Sequence, residues 1–258
     1  MLLDIHCHLD NAQFNDLGSV IDRAKKAGVK LILTNGVDHK TNVIALKLAK
    51  KYNIVKAALG VYPLFGVDIG LREGSYPMDK IVPVDVDNEL KFISENKEKI
   101  IAVGEVGLDY TVKGYDDKQK GNFEKIIETA KKLKKPLIVH SRKAEKDVVE
   151  MLESSGVKKV VLHCFSGNFG LVKKAASLGY YFSIPTNIVH SEHFQKLVKE
   201  VNINQLLTET DAPYLSPFKG KRNEPANVIE GVKKIASIKG FTVEETSKNI
   251  WMNYQRLF

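Results

Sequence analysis

Near the start of the chain an apolar run leads into two histidines separated by one residue, in Leu2-Leu3-Asp4-Ile5-His6-Cys7-His8. On an extended strand that spacing turns both imidazoles to one face, an arrangement suited to gripping a metal ion. Taken singly, a histidine at a strand end is more often a hydrogen-bonded structural residue, so the pair needs company. It has it at Glu105, His140, His163 and Asp211, each of which ends or follows a later apolar run. Four imidazoles and two carboxylates exceed what one tetrahedral zinc requires and suit two divalent ions, about 3.5–4 Å apart, sharing a carboxylate. Glu105 is the expected bridge, with His6, His8 and Asp211 around one ion and His140 and His163 around the other. A water held there would lose its proton near neutral pH, and Asp211 would take that proton while orienting the hydroxide. Glu105 and Asp211 are thus the expected catalytic pair. Asp4 shares strand parity with His6 and His8, which suits either a partner for an imidazole or a buried structural hydrogen bond. His39, His190 and His193 fall at loop or helix-start positions and receive no role.

Something must bring these distant residues together. Short β-branched runs alternate with longer amphipathic segments, the pattern of repeated βα units around a parallel sheet. The runs are Leu2 to His6, Lys30 to Thr34, Val55 to Gly60, Ile100 to Glu105, Leu137 to His140, Val160 to His163, Tyr180 to Ile184 and Leu206 to Thr208. Helices are expected near 18–27, 40–52, 87–97, 117–134, 143–154, 169–178, 191–200 and 225–239, with another from Val243. Asp87 and Thr242 are candidate N-caps, and Gly28, Gly156 and Gly179 stand where helices would stop. Eight such units in 258 residues predict a (β/α)8 TIM barrel of the metallo-dependent hydrolase type, with a doubly wound open sheet as the competing arrangement. A single domain over 1–258 is expected, since no linker or low-complexity tract divides the chain. In a barrel the C-terminal strand ends gather over one mouth, and every candidate ligand lies at such an end. The longest irregular stretch, Pro63 to Asp85, is a length that compact domains usually reserve for functional or mobile loops.

Composition narrows the setting. No apolar run reaches the roughly 18 residues of a membrane span, and the N-terminus lacks the charged, apolar and small-residue segments of a signal peptide, so a cytoplasmic protein without membrane attachment is expected. Cys7 and Cys164 cannot build a disulfide framework, and each alternates with a candidate ligand histidine, which turns the thiols away from the imidazole face. The net charge of +8 favours an anionic partner, although most lysines come in helical pairs typical of a solvated surface.

Six strings surround the candidate ligands: Asp4-Ile5-His6-Cys7-His8-Leu9-Asp10, Gly104-Glu105-Val106-Gly107-Leu108-Asp109-Tyr110, Val139-His140-Ser141-Arg142, His163-Cys164-Phe165-Ser166-Gly167, Glu209-Thr210-Asp211-Ala212-Pro213-Tyr214-Leu215 and Arg222-Asn223-Glu224-Pro225. In order and content they resemble the TatD family of metal-dependent deoxyribonucleases. The resemblance implies the barrel, a two-metal centre served by Mg2+ or Mn2+ with Zn2+ also suited to the histidines, and hydrolysis of DNA, often from the 3′ end. One departure stands out, because where the family usually carries a His-Pro-His-like string this chain reads Gly60-Val61-Tyr62-Pro63-Leu64-Phe65. Tyr62 can donate a hydrogen bond to a phosphate but is a poor proton shuttle at neutral pH, and Arg72 and Tyr76 of the following loop would flank the same side of the mouth.

Arg222 and Arg142 are the expected phosphate contacts beside Tyr62, with Lys219 and Lys221 nearby, and Tyr110, Phe165 or Tyr214 would stack an unpaired base. Glu209 shares parity with Asp211 and would face the mouth or make a structural ion pair. The substrate expected is single-stranded DNA, with RNA open to the same chemistry. Two alternatives remain at this stage. One is hydrolysis of an ester or amide carbonyl, including D-aminoacyl-tRNA deacylation; the other is a basic nucleic-acid-binding protein with a vestigial metal site.

Overall fold

The structure is a computed structural model that describes residues 1–67 and 83–258. Arg72 and Tyr76 lie outside the described residues, as does most of the expected Pro63–Asp85 loop. The strands are β1 (Leu2–Cys7), β2 (Val29–Asn35), β3 (Val55–Leu59), β4 (Ala102–Gly107), β5 (Leu137–His140), β6 (Val160–His163), β7 (Tyr181–Pro185) and β8 (Leu206–Glu209). Each pairs in parallel with the next, in sequence order from β1 to β8. The helices are α1 (Leu17–Lys26), α2 (His39–Lys51), α3 (Val86–Glu95), α4 (Asp116–Leu133), α5 (Glu145–Ser155), α6 (Phe169–Ser177), α7 (Glu192–Glu200), α8 (Val228–Lys239) and α9 (Val243–Leu257). Most strand residues are buried on both faces, as a sheet filled inside and covered by helices outside requires.

Closure separates the barrel from the open sheet, and here it uses side chains as well as main chain. Thr208 Oγ1 donates to Leu3 O at 2.7 Å, while Asp4 accepts from Thr210 N at 2.9 Å and from Thr210 Oγ1 at 2.6 Å. Just above, Asp211 N donates to His6 O and His8 N donates to Ala212 O, both at 2.8 Å. Asp4 therefore joins the first and last strands rather than orienting an imidazole, and its third donor is the His6 amide. The same stitches seat His6, His8 and Asp211 side by side.

Local signals explain most element boundaries. Thr242 caps α9 in a reciprocal box with Glu245, and Asp38 does the same for α2 with Thr41. Gly156 takes the left-handed turn that ends α5. Asp87 is not the N-cap expected of it. Helix α3 begins one residue earlier, so Asp85 reaches the Asn88 amide, and Asp87 in the first turn pairs with Lys125 at 2.8 Å. The helix expected from 225 is a short 3-10 turn over Pro225–Asn227 before α8 starts at Val228.

Candidate metal centre

All six expected ligands meet over the barrel mouth. Glu105 lies at the middle, and its two oxygens face different pairs of histidines. Oε2 is 3.4 Å from His6 Nε2 and 3.5 Å from His8 Nε2, and Oε1 is 3.0 Å from His140 Nδ1 and 3.3 Å from His163 Nε2. Asp211 Oδ1 joins the first pair, 3.6 Å from His6 Nε2 and 3.5 Å from His8 Nε2. Within the pairs the imidazole nitrogens approach to 3.3 Å for His6 and His8 and 3.5 Å for His140 and His163. His6 also stacks on His163 with centroids 3.8 Å apart. His6, His8 and Asp211 thus lie around one oxygen of Glu105, and His140 and His163 around the other.

Glycines make this approach possible. A Cβ at Gly60 would lie 2.3 Å from Glu105 O, and one at Gly107, where φ is +137°, would lie 2.0 Å from His140 O. Asp211 holds a left-handed φ of +54°, fixed by its amide bond to His6 O and by Tyr214 N donating to its own carbonyl.

The outer face of each imidazole decides what the inner face offers. His8 Nδ1 meets the Asn35 carbonyl at 3.2 Å, His140 Nε2 meets Asp109 Oδ2 at 3.1 Å, and His163 Nδ1 meets Glu209 Oε1 at 3.2 Å. These partners accept hydrogen bonds, so each neutral ring carries its proton outward and turns a lone pair toward carboxylate oxygens. Lone pairs face one another in that way only around positive charge. Without an ion, protons fill the need. Burial opposes a charge on His8, yet its hydrogen bond to Asp211 and the charges of Glu105 and Asp211 outweigh it and lift the imidazole to about 9. His140 and His163 are raised against the same burial penalty by the carboxylates they touch. Burial would also raise Glu105, but the His6 charge and hydrogen bonds from the histidines hold it well below the usual carboxylate range. Among the described residues three donor sets could hold an ion by proximity, with ligand atoms within 4.8 Å of one another: His6 with His8 and Glu105, Glu105 with His140 and His163, and His6 with His163 and Glu209.

The comparisons with known proteins agree with this geometry. The family profile described as TatD related DNase matches residues 3–258. The chain belongs to the TatD family. Human deoxyribonuclease TATDN3 is 35% identical to it, with 100% of this chain and 94% of the human protein covered. YabD of Bacillus subtilis, an uncharacterised metal-dependent hydrolase, is also 35% identical, covering 100% and 99%. Among solved structures, the TatD homologue YjjV of Escherichia coli superposes with a TM-score of 0.86 at 26% identity, covering 100% of this chain and 97% of that one.

The expected substrate contacts of this TatD chain are less uniform than its ligands. Arg222 is already engaged: its guanidinium lies 2.8 Å from Asp16 Oδ1, donates to Gln13 O at 2.5 Å and stacks over Phe14 at 4.9 Å. It ties the loop after β8 to the loop after β1. Arg142 is exposed beside the end of β5, and Lys219 and Lys221 are exposed. Tyr214 stands at the mouth, its ring 6.4 Å from that of His8. Phe165 is 1% exposed and packs on Phe182, so it cannot stack a base, and Tyr110 donates its hydroxyl to Asp147 at 2.8 Å. Tyr62 is buried and donates its hydroxyl to Asp109 Oδ2 at 2.6 Å, behind His140. Glu209 is buried, bonded to His163 and to the Ser183 hydroxyl. His39, His190 and His193 bond to Glu89, Pro217 O and Phe165 O. Cys7 points at Leu33 O, away from the imidazoles.

Sequence reading missed Asp109 and Asn35 as partners of the ligands. Asp109 was open to detection, because Glu105, Gly107 and Asp109 share one parity and so one face. Asn35 acts through its main-chain carbonyl, which no side chain announces.

Proposed function

We propose that this TatD protein hydrolyses phosphodiester bonds in DNA as a 3′–5′ exonuclease on single-stranded ends, using two divalent ions. The observation that carries the reading is the division of Glu105, one oxygen toward His6, His8 and Asp211 and the other toward His140 and His163. A bridging carboxylate between two imidazole pairs is the ligand chemistry of a binuclear hydrolytic centre. Mg2+ or Mn2+ would support turnover, and the histidines also suit Zn2+. When bound, such ions supply Lewis acidity that makes water nucleophilic near neutral pH and offsets charge on the phosphoryl oxygens.

The chain's own groups do the rest. Asp211 Oδ1 stands beside the first histidine pair with its pKa held down, against burial, by the His8 hydrogen bond and the imidazole charges, so it is ionised and able to accept a proton from the attacking water. Asn35 O, Asp109 and Glu209 keep the ring protons of His8, His140 and His163 pointed outward and the inner lone pairs available. Arg142, exposed beside the end of β5, would meet an incoming phosphate, and Tyr214 beside His8 a terminal base. A recessed mouth favours a flexible strand end over intact duplex, RNA ends included. The human relative's name as a deoxyribonuclease supports DNA as the substrate class. Among the described residues no helix is long and apolar enough to cross a membrane.

The test is incubation of metal-stripped protein with end-labelled single-stranded DNA and added Mg2+, Mn2+ or Zn2+, beside an Asp211→Asn control. Metal-dependent shortening from the 3′ end that the control lacks is expected. An intact oligonucleotide from protein carrying two ions, together with deacylation of an aminoacyl ester, would move the reading to carbonyl-centre hydrolysis.

A further inference from the structure

The two halves of the centre rest on different supports. His8 leans on a main-chain carbonyl, whereas His140 leans on Asp109, and Asp109 in turn carries the hydroxyl of Tyr62. We propose that Tyr62 is a positioning residue for the His140–His163 half of the centre, acting through Asp109, and does not contact substrate. The proposal rests on the two-ion reading above.

Asp109 is fully buried and every side of it is occupied. Its main chain is clamped by one side chain: Asp109 N donates to Gln119 Oε1 at 2.7 Å and Gln119 Nε2 donates to Asp109 O at 2.8 Å. Oδ1 accepts from Thr111 N at 2.9 Å and from Thr111 Oγ1 at 2.5 Å. Oδ2 accepts from Tyr62 at 2.6 Å and faces His140 Nε2 at 3.1 Å. Tyr62 Oη also lies 3.3 Å from His140 Nε2; with the phenol proton given to Asp109, the phenol oxygen and Asp109 Oδ2 are both acceptors toward the ring N–H, and the carboxylate oxygen is the nearer at 3.1 Å. That arrangement fixes the proton of His140 on Nε2 and leaves the Nδ1 lone pair aimed at Glu105 Oε1, 3.0 Å away.

Tyr62 is itself held. Its amide donates to Val37 O at 2.9 Å and its carbonyl accepts from Phe65 N at 2.9 Å. Its ring lies 5.5 Å from that of Phe65 and 4.9 Å from that of His140. Removing the phenol oxygen leaves a buried carboxylate oxygen short of a donor and His140 short of a wall. No hydrogen bond of this set reaches His6 or His8, so the loss falls on one half.

Calorimetric titration of the metal-stripped full chain with Mn2+ tests this. Wild-type protein is expected to take two ions in two steps. Tyr62→Phe should weaken one step by roughly tenfold to a hundredfold, the range for loss of a ligand's hydrogen-bond partner, and leave the other unchanged. Asp109→Asn should weaken the same step, and the double variant should be no weaker than Asp109→Asn alone. Tyr62→His, which keeps a ring donor for Asp109, should bind within a few-fold of wild type. KM for a labelled oligonucleotide should not move in Tyr62→Phe at saturating metal, whereas a phosphate contact would raise it. An unchanged isotherm, equal weakening of both steps, additive effects in the double variant, or a raised KM each overturns the proposal, as does loss of folding in both Tyr62 variants. Wild-type protein that takes a single ion overturns the two-ion reading and this proposal with it; two ions with an unaltered Tyr62→Phe isotherm overturns this proposal alone.

Discussion

In the proposed reaction, Asp211 is the residue whose loss separates catalysis from architecture. Its main chain completes the β1–β8 seam, which a side-chain change leaves in place, while its carboxylate, less buried than that of Glu105, stands beside His6 and His8. Asp211→Asn keeps shape and volume but gives up most of the basicity, so turnover of single-stranded DNA at saturating metal should fall by roughly 10²–10⁴-fold, the usual worth of a placed general base. A variant within tenfold of wild type would remove the proton-accepting role from Asp211. At this scale the ligands were legible because chemistry restricts them: imidazoles and carboxylates at the ends of five strands have few other reasons to recur. Arg222 was not legible in the same way. A guanidinium waiting for phosphate and one paired with Asp16 look identical in sequence, and its acceptor at Gln13 is 209 residues away along the chain. Tyr62, expected to donate to a phosphate where the family carries a histidine, was no more legible, since Asp109, which accepts from its hydroxyl, comes 47 residues later.

Elements set how closely these residues approach, and backbone contacts between strands are the sensitive part. The Asn42 side chain on α2 bonds both the amide and the carbonyl of Gly60, at 3.1 and 2.8 Å, and passes its remaining amide proton to Glu89 at 2.7 Å. Gly60 is thereby pressed onto Glu105, whose amide donates to Gly36 O at 3.0 Å. A methyl group at position 60 would meet Glu105 O at 2.3 Å and Glu105 N at 2.6 Å, atoms that move only with the strand. Gly60→Ala should cost about 1–3 kcal/mol in urea unfolding and also weaken metal binding, because the displaced strand carries Glu105, the bridge of the proposed centre. Gly121→Ala in α4, where nothing lies within 4 Å of the added carbon, should instead stabilise by roughly 0.5–1 kcal/mol and leave metal binding untouched. Equal effects from the two substitutions would show that the contact with Glu105 does not govern position 60. The strands and helices themselves were readable from periodicity and turn residues, with errors of one to three positions at the starts of α3 and α8. The seam was not, since Asp4 and Thr210 are 206 residues apart and neither type signals a cross-barrel bond.

Across the whole molecule, closing the barrel gathers four imidazoles and two carboxylates into one buried charge problem, and its solution must change with pH. The folded-state value of His8 is raised to about 9 from 6.5, against burial, by Asp211 and Glu105, and His140 and His163 move the same way. A group whose folded pKa lies above its unfolded value contributes fully below the unfolded value and loses that contribution as pH climbs through the folded one. Asp4, raised by burial to about 8, adds to the loss up to that pH and nothing beyond it, while the lowered His6 matters only below its ordinary value near 6.5. Chelator-treated protein should therefore lose thermal stability steadily from pH 6.5 to 9. Divalent ions compete with those protons for the same lone pairs, so the stabilisation they give should run the other way and grow from pH 6.5 to 9. Melting curves with chelator and with saturating Mn2+ at both pH values read the two slopes together. A chelated protein with a flat or rising midpoint would mean that the histidines already face one another neutral, and that the pocket is not held together by positive charge at its centre.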